Sequence, residues 1–257
     1  MAQTSILDTD MFGRIYGYPA HLVVLLVVLS IVYVGLVVNF CMHMRSLGVT
    51  ITGNKKRMTL LLGARGAGKT ALFHQLRDGR FVETVTSMKE LEGKFAVHPS
   101  YNTINFGAHL TVIDFPGHER QRSRVADFYP VTGCVVFLVD AADPSFRKAA
   151  EFLYDIFSNA KFNDVAPKML IACNKSDLSS AASVDAVKEA LEKELTKLKK
   201  TRSSLETEGE EDTSTVPVGR DGAAFQFDVD APCEVSFTRC SVKKGDMEEL
   251  STFVLKN

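Results

Sequence analysis

The segment from Met58 to Thr70 sets the strongest limit on what this chain can become. An apolar run, Met58 to Leu62, leads directly into Gly63-Ala64-Arg65-Gly66-Ala67-Gly68-Lys69-Thr70, which fits the pattern G-x-x-x-x-G-K-S/T. Glycines let the backbone N–H groups curl round phosphate oxygens, Lys69 reaches the β and γ phosphates, and the Thr70 hydroxyl suits magnesium. A helix starting at the end of the loop turns its positive end toward the same oxygens. Such a loop needs a buried strand before it and a helix after it, which commits the chain to an α/β fold.

The other apolar runs agree. Leu110 to Ile113, Cys134 to Val139, Met169 to Cys173 and Val235 to Phe237 read as short strands, continuous in apolar character because both faces of a mainly parallel sheet are covered. Between them Arg147 to Ser158 and Val184 to Lys200 read as helices. In the second, Val184, Val187, Leu191, Leu195 and Leu198 step by 3, 4, 4 and 3 along one face, opposite Lys188, Glu189, Lys193 and Lys197. These elements make residues 58–257 one domain, a central sheet flanked by helices. The stretch 203–230 is rich in Ser, Thr, Gly and acidic residues, including Glu206, Glu208, Glu210, Glu211 and Asp212, and reads as a flexible insertion.

Three further motifs sit after strands. Asn174-Lys175-Ser176-Asp177 follows the Met169 run, and a carboxylate at Asp177 would pair with the N1–H and exocyclic amine of guanine while repelling adenine. Ser241, Val242 and Lys243 follow the last strand and complete a base pocket with Asn174 and Lys175. After Leu110 to Ile113 comes Asp114-Phe115-Pro116-Gly117-His118, in which Asp114 would hold magnesium through water and the Gly117 N–H would sense a γ-phosphate. Thr84, Thr86 and Ser87 are the hydroxyls available to finish the magnesium shell, and Thr86 is the favoured one.

The N-terminal part carries a different signal. From Leu22 to Val38 no residue is charged, and the 17 residues would span roughly 25 Å as a helix, or roughly 31 Å if continued to Met42. A span over 21–42 follows, with residues 1–20 on one side and a basic linker, 43–57, on the other. Arg14 alone precedes the run, whereas Arg45, Lys55, Lys56 and Arg57 follow it, so the large C-terminal part is expected in the cytosol. Asp8, Asp10 and the lack of a small-residue cleavage site argue against a removable signal peptide. Five cysteines without a CxxC pair give neither a disulfide framework nor a zinc site. A net charge of −1, from 30 Lys+Arg against 31 Asp+Glu, leaves no bulk charge for direct nucleic-acid binding.

With these motifs in this order the chain resembles the Ras-like small GTPases. Within them the span, the Pro-Gly-His turn, the Leu-Ile-Ala-Cys-Asn-Lys-Ser-Asp segment and the acidic insertion are similar to the β subunits of the signal recognition particle receptor. The resemblance implies GTP, GDP and magnesium as cofactors, and an endoplasmic reticulum membrane protein with its N-terminus in the lumen. It also implies an α subunit held in the GTP state, and points to ribosome or translocon as further contacts. Residues 84–95 and 115–128 would be the switch loops that meet a partner. Lys69 and His118 would be the catalytic side chains.

Departures from the wider pattern matter. Arg65 stands where glycine is usual and would obstruct the transition state; His118 replaces the common glutamine; Val242 replaces an alanine, its N–H still available to the base. Arg120, Arg122 and Arg124 follow the turn and read as partner-facing or solvated. These features imply tight binding with slow hydrolysis. An Arf-like switch that recruits coat or tether proteins is the alternative, weakened by Ala2 in place of an acylated glycine and by the permanent span. An ATP-dependent kinase would leave Asn174 and Asp177 without a purpose.

Overall fold

The computed structural model describes residues 58–101, 109–206 and 215–257, with short pieces at 14–15, 18–19, 25–26, 28–33 and 35–36. The chain divides into two compact units, Met1–Asn54 and Lys55–Asn257. In the first, Arg14–Ile15 and Tyr18–Pro19 pair as an antiparallel ribbon. The described residues between Leu25 and Leu36 are helical, and Leu25, Leu26, Leu29, Ile31 and Leu36 are all exposed. Among the described residues no helix is long and apolar enough to cross a membrane. The rest of the expected 21–42 span and the whole 43–57 linker lie outside them.

The second unit is built on a six-stranded sheet. Its strands are β1 (Met58–Gly63), β2 (Leu91–Ala96), β3 (His109–Asp114), β4 (Thr132–Asp140), β5 (Lys168–Asn174) and β6 (Val235–Arg239), in the spatial order β2-β3-β1-β4-β5-β6. The β2–β3 pair is antiparallel and the other pairs are parallel. The helices are α1 (Lys69–Asp78), α2 (Arg147–Phe157), α3 (Ala160–Val165), α4 (Val184–Glu206), α5 (Phe227–Asp230) and α6 (Glu248–Lys256).

Burial explains the unbroken apolar runs. In β1, Leu60 and Leu62 join one core with Phe152, Phe162 and Leu191 from α2, α3 and α4. Leu61, between them, joins the other core with Leu72 and Leu76 of α1 and Leu250 and Val254 of α6. Both faces of the strand are therefore dry, as parallel sheets require. The expected strands are all present. β2 is the one that apolar runs do not disclose: it is an edge strand carrying Glu92 and Lys94, with Leu91 exposed.

Helix α4 keeps the predicted stripe, with Val187, Leu191 and Leu195 buried and Val184 and Leu198 packed against the same core. It runs past Lys200 to Glu206. Nothing in Thr201 to Glu206 is a helix breaker, and Arg202 pins this last part to Asp155 at 3.0 Å.

Part of the expected flexible insertion is packed on the domain. Residues 207–214 lie outside the described ones; Thr215 forms a bridge to Asn159. Val218, Phe225 and Phe227 are buried, and Phe225 stacks on Phe157 with centroids 6.1 Å apart. Arg220 holds the Asp230 carboxylate, 1% exposed, at 2.8 Å. Three well-placed apolar side chains anchor a segment whose average is polar, which is why averaging hid them. Phe225→Ala should therefore lower unfolding stability by about 3–5 kcal/mol, the usual cost of emptying a buried phenylalanine site. Urea titration of the purified protein measures it, and a loss under about 1 kcal/mol would separate this segment from the core.

Candidate nucleotide-binding site

The motifs converge at the carboxyl ends of β1, β3, β5 and β6, where the strand order reverses direction beside β1. Open α/β sheets bind their ligands at such an edge. The loop Gly63 to Thr70 turns through left-handed glycines, φ 79° at Gly66 and 99° at Gly68. Gly68 is the N-cap of α1 and makes no side-chain cap, so the first N–H groups of the helix face the loop mouth. A Cβ on Gly68 would stand 2.3 Å from Asn174 Nδ2, so both conformation and space require glycine there.

Lys69 is buried and folds back across the loop, donating from Nζ to the carbonyls of Gly63 and Ala64, each at 2.9 Å. Burial lowers its ammonium to about 8; the charge of Asp114 opposes that shift and the charge of Arg122 adds to it. Asp114, at the end of β3, is itself buried. Burial pushes its carboxyl up, while a hydrogen bond from Thr70 and the charge of Lys69 hold it down.

The hydroxyls of Thr70, Thr84, Thr86 and Ser87 line a small cavity of about 140 Å³, and Asp114 stands behind Thr70. Thr70 Oγ1 donates to Asp114 Oδ2 at 2.6 Å and lies 2.9 Å from Ser87 Oγ. The other carboxylate oxygen, Asp114 Oδ1, is buried with no hydrogen-bond partner. Two hydroxyls beside a carboxylate with a spare lone pair suit a magnesium ion, which takes oxygen ligands and keeps several waters. Thr86, the favoured hydroxyl, is turned elsewhere: it accepts from Arg65 Nε at 2.9 Å. Ser87 lies beside Thr70, and both loop hydroxyls line the cavity. The two are adjacent in a loop without a strand or helix to set its register, so sequence spacing could not separate them.

The base corner is a second cavity of about 420 Å³. Asp177 and Lys175 line it with Leu178, Val242, Lys243 and Phe81. Ser241 Oγ donates to Asp177 Oδ1 at 2.7 Å, and that bond is the main reason the Asp177 carboxyl lies below its usual range. Asn174 lines the same cavity and also ties its walls together. Its Nδ2 donates to the Ala67 carbonyl at 2.8 Å, and its Oδ1 accepts from the Val242 N–H at 3.0 Å. The Val242 N–H, expected to be available to the base, is thus engaged by Asn174. Lys175 takes a left-handed φ of 63° and pairs with Asp140 at the end of β4. Phe81 and Leu178 were not singled out by motif reading. Their apolar side chains flank the cavity from loops, where no periodicity marks them.

The Gly117 turn lies against the phosphate loop so closely that a Cβ there would come within 2.7 Å of Ala64 C, Arg65 N and Gly63 O. His118 follows, but its Nδ1 accepts from the Arg120 N–H at 3.2 Å, capping a 3-10 helix over Glu119–Asp127. The two expected switch stretches touch each other: Gln121 Nε2 donates to the Met88 carbonyl at 2.7 Å, and Arg124 pairs with Glu90 at 2.9 Å. Arg122 departs from the expectation of a solvated or partner-facing side chain, being only 8% exposed.

The family described as Signal recognition particle receptor beta subunit matches residues 54–231. This chain belongs to that family. The β subunits of Mus musculus and Homo sapiens are 34% and 35% identical to it over 214 residues, 79% of this chain and 77% of theirs. A solved structure of the mammalian SRP receptor superimposes with a TM-score of 0.62 at 33% identity, covering 78% of this chain and 99% of that one. The SRb-GTP/SRX complex of Chaetomium thermophilum gives 0.53 at 25% identity over 72% of this chain and 90% of that one. As a receptor β subunit the chain is a GTPase of the Arf- and Ras-like group. ADP-ribosylation factor 1 of Brassica rapa subsp. pekinensis, 32% identical, matches only 144 residues, 56% of this chain.

Because Asn174 satisfies two buried backbone groups, Asn174→Ala should cost roughly 1–3 kcal/mol for each, about 2–6 kcal/mol together. Chemical unfolding without nucleotide measures this apart from any effect on ligand contacts. An unchanged midpoint would show that the bridge is dispensable.

Proposed function

We propose that this protein is the membrane-anchored subunit of the signal recognition particle receptor, binding GTP with magnesium and holding the α subunit at the endoplasmic reticulum for co-translational targeting. The observation that carries the nucleotide reading is the corner where Asp177, oriented by Ser241, lines a cavity that shares Gly66 and Gly68 with the cavity beside Lys69. Family membership supports the receptor role over the Arf-like alternative. The α-subunit partner is supported by the Chaetomium relative, described as a complex with SRX. Anchoring rests on the uncharged run from Leu22 to Val38, and its direction, N-terminus lumenal, on the basic residues that follow. The membrane itself, and ribosome or translocon as further contacts, belong to this proposal.

In the proposed site Thr70, Ser87 and Asp114 would hold the magnesium ion, which would supply neutralisation of charge on the phosphoryl oxygens. Lys69 exchanges its two carbonyl partners for phosphate oxygens, and the first N–H groups of α1 bind the remainder. His118 must leave its capping bond to orient water, and Arg65 is held by Thr86 at the switch loop. Both features support slow intrinsic hydrolysis. Single-turnover hydrolysis by the purified protein is expected to be slow, and rates typical of activated GTPases would overturn this reading.

Asp177→Asn should weaken GTP and favour xanthosine triphosphate, since the amide cannot accept from both guanine N–H groups. Competition binding with the two nucleotides checks it; unchanged guanine preference would remove Asp177 from the base site.

Phosphate binding also needs a charged Lys69, whose ammonium titrates at about 8 in the empty site. Below that pH it is already protonated and GTP affinity should be flat. Above about pH 8 binding must take a proton from solution, so affinity should fall toward roughly tenfold per pH unit. Fluorescent-nucleotide titrations across this range test the sign, and affinity that rises with pH would contradict it.

A further inference from the structure

Outside the nucleotide edge, a cleft of about 350 Å³ opens between the Glu119–Asp127 turn helix, α2 and the last turns of α4. Its chemistry is unusual because of Arg122. That side chain is 8% exposed and lies over the Phe152 ring at 4.7 Å. A guanidinium carries five N–H donors. Among the described residues it has one bond, to the Lys148 carbonyl at 3.4 Å, and a loose ion pair with Asp155 at 3.6 Å. Its Nε is buried with no partner. Arg202 reaches the same Asp155 at 3.0 Å and stacks over Tyr154 at 4.7 Å. Two guanidinium groups thus share one carboxylate, and the buried one is left short of acceptors. A buried charge so poorly paired is costly, and a carboxylate of suitable reach would relieve it.

We propose that this cleft receives the carboxylate of an acidic side chain on a partner peptide, gripped by Arg122 and Arg202. The walls select the ligand class. Ala126 borders the cleft with the buried Tyr129 and Ile156 behind it, an apolar wall for the stem of a glutamate, while Asp155 and Glu119 in the same cleft repel a doubly charged phosphate more strongly than a singly charged carboxylate. A peptide is favoured because the turn helix that lines the cleft is tied, through Gln121 to Met88 and Arg124 to Glu90, to the 84–95 stretch, which exposes Val85 and Met88. The site requires no bound nucleotide, so it stands or falls separately from the guanine reading.

The test uses the full chain in detergent micelles with ¹⁵N-labelled arginine, following the Arg122 Nε–Hε signal. The probes are acetyl-Leu-Glu-Leu-amide, its Gln counterpart and inorganic phosphate. The Glu peptide should move the signal saturably, with the Gln peptide at least about tenfold weaker and phosphate without a saturable effect. Arg202→Gln, at a half-exposed position, should weaken the Glu peptide about tenfold, whereas Asp155→Asn should tighten it severalfold by removing the internal competitor. No saturable shift, equal response to Gln or phosphate, or loss of binding in Asp155→Asn would overturn the proposal. So would a signal that ignores the peptide but moves when Glu208, Glu210 and Glu211 are changed to Gln, which would assign an intramolecular carboxylate instead.

Discussion

The carboxamide of Asn174 joins two loops that the sequence places far apart. Ala67 lies 107 residues before it and Val242 lies 68 residues after it, yet both backbones bond to the one side chain. The parallel sheet makes this possible by ending β1, β5 and β6 at the same edge. The joint needs a residue with one donor and one acceptor at a short reach: aspartate lacks the donor, and glutamine would drive the amide into Gly68, where even a Cβ would stand 2.3 Å away. The Lys69 loop and the Asp177 corner are therefore mechanically one unit, and a ligand that bridged them would meet a frame already fixed.

Charge placement shows what that frame is built for. Lys69 feels the charges of Asp114 and Arg122, and burial works against both Lys69 and Asp114 carrying a charge. A protein organised for stability alone would put apolar groups here. The arrangement is consistent with a site that completes its electrostatics with an anion and a hard cation supplied from outside. The partnerless Asp114 Oδ1 and the carbonyl-bound Lys69 are the two places where that completion would be felt most.

Much of this was legible in the sequence because it is local. The glycine pattern, the strand before it and the carboxylates after β3 and β5 are contiguous signals, and each appears at the edge where the fold class requires it. What escaped depends on loop register or on contacts between distant segments. Ser87 rather than Thr86 faces Thr70 through a one-residue difference in an irregular loop. The Val242 N–H looks free until Asn174 is seen beside it. Phe225 looks like a lone aromatic in a polar stretch until Phe157 and Phe227 close around it. Arg122 reads as solvated because arginine after a turn usually is, and only the packing of α2 buries it.

The turn helix after Gly117 links the nucleotide edge to the Arg122 cleft. Gly117 sits in contact distance of the phosphate loop, His118 caps the helix, and Arg122 lies one turn further along against Phe152 and Asp155. For His118 to approach an attacking water it must give up a capping bond, at a cost of about 1 kcal/mol, and loosen the segment that carries Arg122. The reverse also holds by linkage: a group that fixes Arg122 in place favours whichever position of the turn that fixed geometry permits. Restraint of His118 and burial of Arg122 are therefore two consequences of one short helix. Its 3-10 geometry, tighter and less well bonded than an α-helix, makes it the element at this edge least costly to rearrange.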